Sequence, residues 1–311
     1  MFYLLVIQVY YVYLQIKMTN MGKFINPFTD VGFKMIFGQE ISKPLLIDFL
    51  NNLLEGERHI TDLQFLDKER LRERNEDRGL IYDVYCKTDT GEHILVEMQN
   101  RSQSHFKERA LLYLSKAIVE QSRKGKEGST YELNAVYGVF FMNFSDHLFT
   151  RKFRTDVALC DMQTNKVFSD KMRMIFLQLP EFKKEAEECK NYFERWIYVL
   201  KNMEILNRMP WAAQYAAFQR LSEICETAAL TPQERNRYEE SIKVYRDNLA
   251  IAERAAEEGK AVGRKEGRKE GRKEGEELAK IEVARKMKAN GFLPNVISEM
   301  TGLSEEQIAS L

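Results

Sequence analysis

Leu80-Ile81-Tyr82-Asp83-Val84-Tyr85-Cys86, then Lys87-Thr88-Asp89-Thr90-Gly91-Glu92, then His93-Ile94-Leu95-Val96-Glu97-Met98-Gln99: these twenty residues read as two strands joined by a tight turn. Val, Ile, Tyr and Leu fill both flanks, and Asp-Thr-Gly punctuates the middle. Asp83 and Glu97 sit inside the apolar runs, where a carboxylate is costly unless something pairs with it. A hairpin folded about Thr90 sets position i against position 180 minus i, so Asp83 faces Glu97. Directly opposed residues have Cβ atoms roughly 4.5–5.5 Å apart, and like charges there repel. Gln99 has the parity of Glu97 and shares its face, with Tyr85 and Leu95 beside them. Two carboxylates and an amide oxygen are hard ligands that suit a divalent cation such as magnesium. A turn closing one residue later would instead set Asp83 against Met98 and send the carboxylates to opposite faces. Read from spacing alone, a half-buried hairpin with an acidic solvent face accounts for the pattern equally well.

The chain has 311 residues, 44% hydrophobic, enough for one large domain and a smaller one. Its formal net charge is +0, whereas a protein living on non-specific DNA binding is usually basic; a local basic groove remains compatible with this balance. Cys86, Cys160, Cys189 and Cys225 form no CxxC pair, and His59, His93, His105 and His147 are scattered. Reduced thiols in a cytoplasmic protein fit better than disulfides or zinc. Residues 2–16 are almost wholly apolar or aromatic but shorter than the ~20 residues of a spanning helix. They have no basic lead and no cleavage site, and Met21-Gly22-Lys23-Phe24 reads as a natural beginning. Residues 1–20 are therefore expected to be an N-terminal extension, with a short membrane-associating segment as the alternative.

Further along, Thr29 or Asp30 can cap a helix stopped by Gly38, with Asp30 expected as a plain N-cap. Residues 42–54 carry a stripe of Leu45, Leu46, Phe49, Leu50 and Leu53. A strand is expected over 60–66 and an exposed charged loop over 67–78. A helix over 104–123 buries Phe106, Ala110, Leu114, Ala117 and Ile118. Arg109 and Tyr113, four apart, share a face next to that stripe. Residues 125–129 read as a loop, and the apolar runs 135–142 and 174–179 as buried strands. Strands mixed with helices predict an α/β domain, a mixed β-sheet flanked by helices. From residue 181 the pattern is helical, and Thr231 caps a helix with Pro232 at its first position.

Residues 259–275 are a strict period-four array, Gly-Lys-Ala-Val, then Gly-Arg-Lys-Glu three times, then Gly275. Each glycine costs roughly 1 kcal/mol against alanine in a helix. Pairs such as Glu266 with Lys269 return only ~0.2–0.5 kcal/mol. Such a helix needs a partner or is a flexible charged linker, and self-association through 259–280 is the expectation. Residues 284–311 read as helix, Gly stop, short helix, Gly turn, helix, a helix-turn-helix-like spacing. The last helix carries Glu305 and Glu306 and no Lys or Arg, so a packing or oligomerisation module is as good a reading as DNA docking.

An Asp before a turn, then an apolar strand ending in Glu-x-Gln, resembles the PD-(D/E)XK nuclease superfamily and, more narrowly, the bacterial recombination-promoting nuclease/transposase family. The resemblance runs from about Phe24 to the C-terminus and includes the glycine array. It implies a restriction-endonuclease-like core in residues 21–180, a helical extension over 181–258, the repeat over 259–280 and a small helical module over 281–311. It implies a Mg²⁺-dependent DNA endonuclease associated with recombination or transposition, with Asp83 and Glu97 as catalytic metal ligands. Gln99 stands where the superfamily usually has lysine, as is common in this family; it can orient water or ligate metal, but it cannot shuttle a proton. Arg109-x-x-x-Tyr113 looks like the polar motif of the helix after the Glu strand, with Arg109 holding a phosphate or orienting Glu97. Asp30-x-x-Phe33-Lys34 matches a family pattern at the edge of the site, and Glu40 or Asp48 is a candidate further acid. The rival from another class is an inert nuclease-like fold used for DNA or protein association.

Overall fold

A computed structural model of the chain describes residues 22–66, 82–102, 105–122, 132–146, 149 and 152–311. The expectations for residues 1–20, 67–78 and 125–129 lie outside the described residues. The chain divides into two compact units, Met1–Leu249 and Ala250–Leu311.

In the first unit β1 (Leu63–Phe65), β2 (Val84–Thr88), β3 (His93–Gln99), β4 (Val136–Met142), β5 (Arg154–Cys160) and β6 (Val167–Gln178) form one sheet in the order β1-β2-β3-β4-β6-β5. The β3–β4 and β4–β6 pairs are parallel and the other three antiparallel. Every residue of β4 is buried, as expected of a parallel strand covered on both faces. β5 and the first half of β6 have no counterpart in the sequence reading. They form a ribbon whose tip projects into solvent, with Met162 95% and Phe168 81% exposed. A ribbon exposed on both sides carries no apolar alternation to read.

Helices α1 (Asp30–Phe37), α2 (Lys43–Leu53), α3 (Phe106–Ser122), α4 (Tyr192–Asn202) and α5 (Ala216–Cys225) cover the sheet. Ile94, Val96, Val139 and Phe141 turn to one face, where Phe33, Phe37, Phe49, Trp196 and Phe218 join them in the larger core. Phe141 lies 5.6 Å from Phe33 and 5.4 Å from Phe49 between ring centroids. Thus α4 and α5, beyond residue 181, pack into the same core as α1 and α2. Tyr85, Leu95, Val136, Phe140 and Phe176 turn to the other face, against the α3 stripe of Phe106, Ala110, Leu114 and Ala117. Gly138 lets α3 approach closely, since a Cβ there would stand 2.6 Å from Leu114 Cδ1. Thr29, not Asp30, caps α1: its hydroxyl accepts from the Gly32 N–H, while Asp30 opens the helix and pairs with Lys34 at 2.7 Å.

Helix α6 (Pro232–Ala289) opens with a reciprocal cap, Thr231 N–H donating to Glu234 Oε2 at 2.9 Å and Glu234 N–H to Thr231 Oγ1 at 3.3 Å. Tyr238 and Ile242 enter the large core. In the second unit, α7 (Pro294–Thr301) and α8 (Glu305–Ala309) pack through Ile297, Leu303 and Ile308 on Ala284. Gly291 (φ +84°) and Gly302 (φ +74°) take the left-handed conformation that ends α6 and α7. Cys86, Cys189 and Cys225 are buried free thiols and Cys160 an exposed one. Among the described residues no helix is long and apolar enough to cross a membrane.

Candidate active site

The β2–β3 ladder pairs Val84 with Val96, Tyr85 with Leu95, Cys86 with Ile94 and Lys87 with His93. Every pair sums to 180, which is the register of a turn centred on Thr90; the ladder ends at Val84, and the same register continued by one position would set Asp83 opposite Glu97. Thr88 N–H donates to Glu92 O at 2.9 Å and Gly91 N–H to Thr88 O at 3.1 Å. Gly91 sits at φ +100°, where a side chain would be strained.

At Asp83 the strand leaves the regular ladder, and side chains replace backbone acceptors. Glu97 Oε1 accepts the Asp83 N–H at 3.2 Å, and Asp83 Oδ2 accepts the Met98 N–H at 2.8 Å. Each carboxylate therefore takes a donor from the opposite strand. A hydrogen bond to a charged group contributes about 1.5–3 kcal/mol, enough to hold both carboxylates in place at the strand end. Glu97 is 4% exposed, and Asp83 is half-buried at the mouth.

Helix α3 roofs this point. Tyr113 is buried, and burial, then the Glu97 charge, push its phenol up to about 12, with Asp83 adding to the shift and Arg109 opposing it. One titrating group thus registers Glu97, Arg109 and Asp83 together. Tyr113 stays a neutral hydroxyl at any working pH. The Arg109 guanidinium lies 5.6 Å from the Phe106 ring centroid and 5.9 Å from that of Tyr113. Tyr82, absent from the sequence reading as a site residue, ties the layers together. Its ring meets Tyr113 edge-on at 5.0 Å and Tyr85 at 5.2 Å, and its hydroxyl donates to Tyr113 O at 3.3 Å.

Gln99 is half-buried, and strand alternation puts it on the Glu97 face, since Met98 packs in the opposite core. Beyond it, Asn143 N–H donates to Gln99 O at 2.8 Å, and Asn100 Nδ2 donates to Phe28 O at 2.7 Å. Asn100 ties the β3 end to the segment leading into α1, and Asn143, the residue after β4, ties it to that strand. Nothing in their spacing announced that role.

The remaining candidates lie elsewhere. Lys34 pairs with Asp30 rather than with either hairpin carboxylate. Asp48 accepts the Trp196 indole N–H at 2.7 Å, on the helical layer of the opposite sheet face. Burial pushes its carboxyl up against the lowering effect of that bond. Glu40 adds to the field around the Lys43–Asp62 ion pair on the same layer. At the other end of β3, Tyr85 Oη stands 2.7 Å from His93 Nδ1 beside a cavity of about 250 Å³, four residues or roughly 13 Å from Glu97.

The donor set fits a hard divalent cation. Asp83 and Glu97 each have one oxygen held by a backbone N–H, and Gln99 adds an amide oxygen on the same face. Among the described residues no group of three or more His, Cys, Asp or Glu side chains gathers.

Residues 27–255 match the family described as PD-(D/E)XK nuclease family transposase. Residues 277–311 match the C-terminal HTH domain of the Rpn/YhgA-like nuclease family. No curated protein and no solved structure matches the chain.

Proposed function

The chain belongs to the PD-(D/E)XK nuclease family transposases, and on that premise we propose that it is a Mg²⁺-dependent endonuclease hydrolysing DNA phosphodiester bonds in recombination or transposition. One observation carries the reading: the hairpin register sets Asp83 against Glu97, each pinned by a backbone donor of the other strand. Two carboxylates converging on one face form a pair of hard oxygen ligands that a divalent cation can join.

Asp83 and Glu97 hold the cation, and Gln99 orients the attacking water through its amide oxygen. When bound, the metal neutralises charge at the scissile phosphate and acidifies water. Arg109 offers a planar guanidinium to a non-bridging phosphate oxygen. Tyr113, neutral throughout, donates a hydrogen bond to the same group or keeps Glu97 in position. Gln99 cannot carry the positive charge or shuttle the proton that a lysine could. As water adds to phosphorus and the P–O bond to the leaving oxygen breaks, the proton lost by that water passes to solvent, and solvent protonates the departing oxygen. The 259–280 repeat associates with a second copy through its glycine line, pairing two nuclease units for a double cut.

The test is in single variants. Asp83→Ala and Glu97→Ala abolish metal-dependent cleavage while circular dichroism and thermal midpoint stay near the parent's. Undiminished cleavage by either variant would put the chemistry at another site.

A further inference from the structure

We propose that the Arg–Lys side of residues 264–273 binds the phosphate backbone of duplex DNA, a contact surface separate from the hairpin carboxylates. The idea rests on the reading of DNA as substrate. It starts from a discrepancy: a DNA-cleaving chain of net charge +0 whose last helix, α8, opens with Glu305 and Glu306 and has no Lys or Arg. Cationic surface must therefore come from segregation of charge rather than from excess of it.

Helix α6 supplies that segregation. At 100° per residue, Arg264, Lys265, Arg268, Lys269, Arg272 and Lys273 fall within an arc of about 180°. Glu266, Glu270 and Glu274 fall within about 80° on the other side, their mean direction roughly 150° away. The period of four also sets each residue type against its own kind four residues on: Arg264 with Arg268 and Arg272, Lys265 with Lys269 and Lys273. Like charges at that spacing repel along the helix. The ion pair recorded within this stretch, Arg272 with Glu276 at 3.4 Å, engages one of the six cations. All six are exposed, and nothing lies within 4 Å of a Cβ built on Gly263, Gly267, Gly271 or Gly275. The cationic face is thus open, self-repelling and uncovered among the described residues.

A polyanion relieves all three conditions. Arg264 to Lys273 spans ten residues, nine steps of the helix or about 14 Å. Duplex DNA alongside presents roughly eight phosphates over that length. Guanidinium groups suit phosphate oxygens, and a contact to backbone alone needs no fixed base sequence.

The experiment measures the affinity of the full chain for a fixed duplex against salt concentration, with EDTA present so that no strand is cut. Arg264→Gln/Arg268→Gln/Arg272→Gln removes three cations at little change in helix propensity. Each phosphate contact contributes about −0.9 to the log–log slope. The triple variant is expected to flatten the slope by about 1–3 and to weaken low-salt binding at least tenfold. Glu266→Gln/Glu270→Gln/Glu274→Gln is expected to bind as tightly as the parent or tighter. An unchanged slope and affinity in the arginine variant overturns the proposal. So does a variant whose sedimentation changes while its DNA slope does not, which would make the face a contact between copies. Cleavage in Mg²⁺ is read separately: its failure with the slope effect intact removes the nuclease reading alone, and its persistence with the slope effect absent removes this surface alone.

Discussion

Asp83→Asn separates a metal site from a structural carboxylate, because the two readings predict opposite signs for stability. The hairpin register, continued one position past Val84, sets Asp83 opposite Glu97, where Cβ atoms of a regular antiparallel pair stand roughly 5 Å apart. At an effective dielectric of about 20 their repulsion is about 3 kcal/mol without a cation. Arg109, whose charge acts on the same cluster, offsets part of that figure. Asparagine keeps an acceptor for the Met98 N–H but loses the charge assistance, a loss of about 1 kcal/mol. The metal-free variant is therefore expected to match the parent or to exceed it by up to about 2 kcal/mol, a rise in Tm of up to about 4–8 °C. Magnesium at 100 times its dissociation constant then stabilises the parent by about 2.7 kcal/mol and leaves the variant unmoved. The assay is thermal unfolding of both proteins in EDTA and across a magnesium titration. The expected signature is a crossing: the variant more stable without metal, the parent more stable with it. An equal magnesium shift in both, or a variant that loses several kcal/mol in EDTA, would refute the reasoning.

Further outcomes follow from the same geometry. Gln99→Lys keeps or raises cleavage, checked by initial rates of plasmid nicking, since it restores the charge the superfamily usually has there. Asp48→Ala leaves the Trp196 indole N–H unpaired and lowers stability by about 1–3 kcal/mol, without changing cleavage per folded molecule. Burial raises the Asp48 carboxyl above its ordinary 3.8, so its contribution favours folding below that value and fades as pH rises through the raised one. In Asp48→Asn, chemical denaturation across pH shows that slope flattened. A chain ending at Glu258 sediments as a monomer and the full chain as a dimer if the glycine line joins two copies; a monomer for both at micromolar concentration makes the array a tether.

The hairpin was legible because its two signals are local. Turn chemistry at Asp89-Thr90-Gly91 narrowed the register to two neighbouring choices, the ladder has the one centred on Thr90, and a period of two then assigns faces. The α3 stripe was legible for the same reason, with Arg109 and Tyr113 one turn apart beside it. What escaped depends on contacts distant in sequence. Asp48 resembles a spare acid until Trp196, 148 residues on, is seen to donate to it. Asn100 and Asn143 acquire their role only when β3 and β4 lie side by side. Asp30 and Thr29 are equally good caps on paper, and the side-chain pairing of Asp30 with Lys34 separates them. The projecting β5–β6 ribbon left no pattern because little at its tip is buried.

Nicking of supercoiled plasmid by the purified full chain, with magnesium titrated from zero, tests the central claim most directly. The account predicts no nicking in EDTA, nicking that rises with magnesium, and none at any magnesium concentration for Glu97→Ala. Nicking that persists in EDTA, or a Glu97→Ala protein as active as its parent, would contradict it.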